Sequence, residues 1–141
     1  MKRWITISIV VFSIIIASNA QADGFLQKFY FVGLWQGIDD FDGSEVQRSI
    51  TLNNDGTFNI IGQEPYTNFC GNKRGKVTGT GRLEGGLIIS DDFTITCYDP
   101  PKQSDEYTVE YRPDKLNGTL IVNAPAFPQF PETILHKISN R

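Results

Sequence analysis

Val46-Gln47-Arg48-Ser49-Ile50-Thr51-Leu52 runs into Asn53-Asn54-Asp55-Gly56 and then into Thr57-Phe58-Asn59-Ile60-Ile61. In the first run Val46, Arg48, Ile50 and Leu52 fall on one side of an extended chain, and Gln47, Ser49 and Thr51 on the other. That period of two marks a half-buried strand. Asp55-Gly56 supplies the positive φ angle of a tight hairpin turn, so the second run returns antiparallel beside the first. The same grammar extends in both directions. Strands are expected over 32–38, 87–90, 93–98, 107–112, 119–122 and 133–138, rich in Thr, Ile, Val and aromatic residues. Asp42-Gly43-Ser44, Gly85-Gly86 and Asn117-Gly118-Thr119 provide the turns. Asn117-Gly118-Thr119 is also a formal glycosylation acceptor, but the turn role takes precedence. The turns recur without a fixed period, which is shared turn chemistry and not duplication. Eight or nine strands joined this way predict an all-β antiparallel meander that closes into a small barrel, with a β-sandwich as the alternative.

The start of the chain has a different character. Lys2 and Arg3 precede an apolar run from Trp4 to Ala17, and Ala20-Gln21-Ala22 has the A-x-A form of a signal-peptidase site. Residues 1–22 therefore read as a signal peptide, cleaved after Ala22 or alternatively after Ala20. The apolar run is short of the roughly 20 residues needed to span a bilayer. The expectation is a periplasmic or secreted protein with no membrane span after cleavage. Residues 23–31 form a lead segment with one or two helical turns over Phe25 to Phe31, and 32–141 form a single β domain. Cleavage lowers the 13 basic residues to 11 against 16 acidic ones, a formal charge of −5. That balance argues against nucleic acid as a partner. The basic cluster Lys73-Arg74-Gly75-Lys76 reads as solvated surface within a loop over 63–76. Cys70 and Cys97 are the only cysteines. In an exported chain, without C-x-x-C spacing, they are expected to form a structural disulfide.

Gly33-Leu34-Trp35 opens the first strand, and the G-x-W there resembles the lipocalin and calycin group of small exported barrels. Trp35-Gln36-Gly37, followed by Asp42-Gly43-Ser44 and Asp55-Gly56-Thr57-Phe58, is similar to small lipocalin-like exported proteins. The resemblance implies that Trp35 closes one end of a barrel, with a basic residue of a late strand packed over it. Arg112 and Lys137 are both candidates for that residue.

Several side chains bear on function. Arg48 shares the apolar face of its strand, so its charge needs a carboxylate partner, a route to solvent, or an anionic ligand head group. His136 is the only histidine and lies in phase with Ile134 and Ile138, which would face it inward, while Leu135 offers the opposite phase. It is expected to be a core or rim residue and not a catalyst or metal ligand. Asp39, Asp40, Asp42 and Glu45 crowd the first turn, but Ile38 and Ser49 occupy the first and last ligand positions of a calcium loop, so they read as an acidic turn. In 124–131, Pro125, Pro128 and Pro131 recur at the three-residue period of polyproline II, which places Phe127 and Phe130 on one face. That stripe either covers an open barrel end or forms a surface for a protein partner.

The leading functional expectation is a non-catalytic exported binding protein without a cofactor or metal. It would hold a small apolar or amphipathic ligand against Trp35, Arg48, Phe58, Tyr107 and Tyr111. The alternative is a protein-binding module, such as an inhibitor of a secreted hydrolase, working through Phe127 and Phe130. An enzyme ranks third. Small barrels are often filled by their own side chains, so a cavity of roughly 300 Å³ or more would favour the ligand.

Overall fold

The structure, a computed structural model, describes residues 24–140. The signal segment and its cleavage positions lie outside the described residues. Residues 24–31 are helical, and a second compact unit begins at Phe31. It contains β1 (Gly33–Ile38), β2 (Glu45–Leu52), β3 (Phe58–Thr67), a 3-10 turn (Asn68–Cys70), β4 (Lys73–Glu84), β5 (Leu87–Tyr98), β6 (Pro101–Gln103), β7 (Tyr107–Asp114), β8 (Thr119–Asn123) and β9 (Thr133–Ser139). Every pairing is antiparallel. The order β4-β3-β2-β1-β9-β8-β7-β5 is closed by a further β4–β5 pairing, with β6 appended to β5. The fold is therefore an eight-stranded closed barrel, and the sandwich alternative falls away.

The quoted hairpin forms as its alternation requires. Ile50 pairs with Ile60 and Leu52 with Phe58, and Val46, Arg48, Ile50, Phe58 and Ile60 are buried. Gly43, Gly56, Gly85, Gly86 and Gly118 all take positive φ at the expected turns. Asp114 accepts hydrogen bonds from the backbone and side-chain nitrogens of Asn117, which fixes the β7–β8 turn.

The segment 63–76 corrects the sequence reading. It is not a loop: β3 continues to Thr67 and β4 starts at Lys73, with Gln63 opposite Lys76 and Glu64 opposite Gly75. β4 escapes the alternation rule because its inward positions are Gly75, Val77, Gly79 and Gly81. A strand whose buried face is mostly glycine shows no apolar periodicity. Those glycines leave room for bulky neighbours: a Cβ on Gly81 would lie 2.3 Å from Ile88 Cγ2, and one on Gly79 would lie 2.4 Å from Ser90 Oγ.

The two ends of the barrel differ. The end carrying the β2–β3, β4–β5 and β7–β8 turns is packed with large side chains. Trp35, Phe31, Phe58, Ile60, Ile88, Leu120 and Leu135 are fully buried. Phe31 meets Phe58 edge-on at 5.9 Å between centroids. Trp35 Nε1 donates to the Phe31 carbonyl at 2.8 Å. Lys137 Nζ sits 4.7 Å from the Trp35 ring and donates to the Val32 carbonyl at 2.9 Å. Burial lowers the Lys137 pKa below its ordinary value. Arg112 instead pairs with Glu132 on the exterior at 3.0 Å. Of the two candidates for the cation over Trp35, the structure selects Lys137. Gly33 makes this entry possible: its φ is +141°, and a Cβ there would lie 2.3 Å from the Ser139 carbonyl oxygen.

At the other end, the Cys70–Cys97 disulfide ties the 3-10 turn to the end of β5. It closes a loop of 27 residues, a constraint worth roughly 3–4 kcal/mol in the chain-entropy account. Replacing both cysteines by serine should lower stability to urea by about that amount while retaining the far-ultraviolet spectrum of a β protein; equilibrium denaturation measures it.

Candidate functional site

The barrel opens on the side bounded by the β1–β2 turn, the 3-10 turn, the β6–β7 segment and the β8–β9 loop. A cavity of about 500 Å³ occupies this mouth, within the range of small-molecule sites. Its depth is set by Arg48. That residue stands opposite Trp35 on β1 and Gly62 on β3, so it lies directly above the packed end. Gly62 is necessary there, since a Cβ would come within 2.8 Å of Arg48 Nη1 and 2.1 Å of the Gln47 carbonyl oxygen.

Arg48 is buried, with 5% of its surface exposed. Its Nη2 forms an ion pair with Glu64 Oε1, its Nη1 donates to the Gln47 carbonyl at 2.8 Å, and its guanidinium carbon lies 5.5 Å from the Phe93 ring centre. Burial opposes the charge, but the Glu64 carboxylate beside it wins, and the Arg48 pKa is raised. The sequence reading left Arg48 between an internal ion pair and an anchor for an anionic head group. The structure gives the ion pair. Glu64 follows Phe58, Ile60 and Gly62 in the same inward phase, so the alternation that singled out Arg48 also pointed to its partner.

A chain of rings climbs from this pair to the surface. Phe93 meets Tyr107 at 5.3 Å, Tyr107 meets Phe127 at 5.4 Å, Phe127 meets Phe130 at 5.8 Å and Phe130 meets Phe41 at 4.6 Å between centroids. The first ring is buried, while Phe130 and Phe41 are 41% and 49% exposed. Burial, helped by the Glu64 charge, pushes the Tyr107 hydroxyl well above its ordinary pKa, so it is neutral. Phe127 and Phe130 are not presented by polyproline II. Phe127 N donates to the Ala124 carbonyl at 2.9 Å and Phe130 N to the Phe127 carbonyl at 3.0 Å. These are two consecutive turns with Pro125 and Pro128 at their second positions, where proline presets φ.

The five residues expected to line a ligand site divide. Arg48 and Tyr107 line the cavity. Trp35 and Phe58 do not; they belong to the packed end. Tyr111 is also wholly buried, opposite Ile88 and Val122, and outside the cavity wall. Its hydroxyl makes no hydrogen bond of normal geometry among the described residues. Phe127 and Phe130, assigned to a partner surface, are part of the cavity wall. Of the two phases open to His136, the structure takes the outward one: it is exposed with Ile134 and Ile138, because Leu135 and Lys137 take the inward phase of β9.

The acidic turn forms one side of the mouth. Asp39 Oδ1 accepts from Phe41 N at 2.8 Å and Asp42 Oδ1 from Ser44 N at 2.9 Å, so both shape the turn. Partial burial, together with the Asp42 and Glu64 charges, raises the Asp39 pKa despite that backbone hydrogen bond. Comparison of the chain with protein-family models, curated proteins and solved structures finds no match.

Two outcomes are expected. Arg48→Met should cost about 3 kcal/mol, because it strands the Glu64 carboxylate, whereas Arg48→Met with Glu64→Leu should recover more than half of the loss; urea denaturation of the single and double variants measures the coupling. Asp39→Asn keeps the Oδ1 acceptor. Because the folded pKa of Asp39 lies above the unfolded value, its ionised form weakens the fold at neutral pH and its protonated form does not. The variant should be more stable at pH 7 by less than ~1 kcal/mol after solvent screening, and the gain should fade as pH drops below the ordinary carboxylate range.

Proposed function

We propose that this chain is a non-catalytic, exported binding protein of lipocalin-like type that takes a small, largely apolar ligand into the barrel mouth. The cavity of about 500 Å³ walled by the ring chain from Phe93 to Phe41 carries the reading. Aromatic walls with a few polar groups are the usual composition of such sites. Trp35 in G-x-W with Lys137 on its ring supports the lipocalin-like assignment. The Cys70–Cys97 bond supports an oxidising compartment, as does the signal-like start of the sequence. Among the described residues no helix is long and apolar enough to cross a membrane.

The exposed rings of Phe41 and Phe130 favour a second reading, in which the rim docks a secreted protein such as a hydrolase. Titration with the neutral fluorophore N-phenyl-1-naphthylamine separates the two. Saturable binding at one site, weakened at least tenfold by Phe127→Ser with Phe130→Ser in a folded barrel, is the expected result. Absence of saturable binding would reject the ligand reading. Native mass spectrometry of the protein from its host then shows whether a small molecule or a protein co-purifies.

A further inference from the structure

We propose that the ligand of this cavity is a small amphipathic cation, an organic ammonium or guanidinium group carried on an apolar body. The inference rests on the ligand-binding reading above and specifies its chemistry. Asp39, Asp42, Glu64, Asp105 and Glu106 all contribute to the cavity wall, and among the described residues Arg48 is the only basic one that does. Glu64 already neutralises Arg48. The remaining four carboxylates leave the mouth with an uncompensated negative field, and low-dielectric walls concentrate such a field. An anionic head group would enter against that field and would compete with Glu64 for the guanidinium.

The aromatic wall favours the same class. Faces of aromatic rings attract cations, and this chain already uses them so near the mouth. Lys102 Nζ lies 4.3 Å from the Phe69 ring centre, and Arg48 lies over Phe93. Lys102 adds one positive charge beside the rim, which does not offset four carboxylates. The wall therefore offers rings for an apolar body and carboxylates for a positive head at the outer level.

The inner end offers a ligand no free charge. The Arg48 guanidinium is buried, held by Glu64 and the Gln47 carbonyl, with the Tyr111 hydroxyl beside it. The favoured molecule has an apolar body against the rings and a cation at the mouth.

The test is displacement of bound N-phenyl-1-naphthylamine from the exported protein by octyltrimethylammonium, octanol and octanoate, which share one chain length. The ammonium should displace the dye at a concentration at least tenfold below octanoate, with octanol between them. Sodium chloride at 0.5 M should compress that preference, because exposed charges are screened. Asp39→Asn with Glu106→Gln should reduce the ammonium-to-octanoate ratio severalfold and leave octanol displacement unchanged, with circular dichroism confirming the fold. Octanoate equal to or stronger than the ammonium, or a ratio insensitive to these substitutions, overturns the cation proposal and leaves the cavity reading standing. Failure of the dye itself to bind overturns both.

Discussion

The Arg48–Glu64 pair lies where the filled half of the barrel gives way to the open half. Below it, Trp35, Phe31 and Phe58 are fully buried and pack the interior. Above it, the walls diverge into turns and leave a cavity. An arginine at this level would carry a severe desolvation cost alone. Glu64, the Gln47 carbonyl and the Phe93 face offset that cost, and the missing side chain at Gly62 creates the space. The same pair neutralises the one basic side chain in the cavity wall among the described residues, so the character of the mouth is set by its carboxylates and rings.

The ends of the barrel are held by different means. The packed end relies on bulk and on a lysine that spans from the Trp35 ring to the Val32 carbonyl. The mouth cannot be filled without losing its cavity, so it relies on covalent and local constraints. The disulfide ties two of its walls, Asp39 and Asp42 fix the β1–β2 turn, and two proline turns hold Phe127 and Phe130 against Tyr107 and Phe41. These turns set where the exposed rings stand around the cavity.

The barrel wall also explains why so small a domain tolerates glycine inside its strands. Gly75, Gly79 and Gly81 face inward on β4, opposite or beside large residues of neighbouring strands. Volume is conserved across the interior and not along any one strand, which is how close packing is reached in a narrow cylinder.

The sequence by itself determined the all-β class, the antiparallel meander, the turn positions, the disulfide pairing and the inward direction of Arg48. Each follows from local rules: period-two alternation, glycine at positive φ, and a single cysteine pair. It missed β4, since a glycine face leaves no apolar period, and it left the phase of His136 open, since β9 carries apolar residues on both faces. Only the tertiary structure decided barrel over sandwich, Lys137 over Arg112, and the grouping of Phe41, Phe93, Tyr107, Phe127 and Phe130 into one wall. Those outcomes depend on closure, which brings β4 beside β5 and distant turns to a common mouth, and no local pattern in a chain encodes which of its loops will meet.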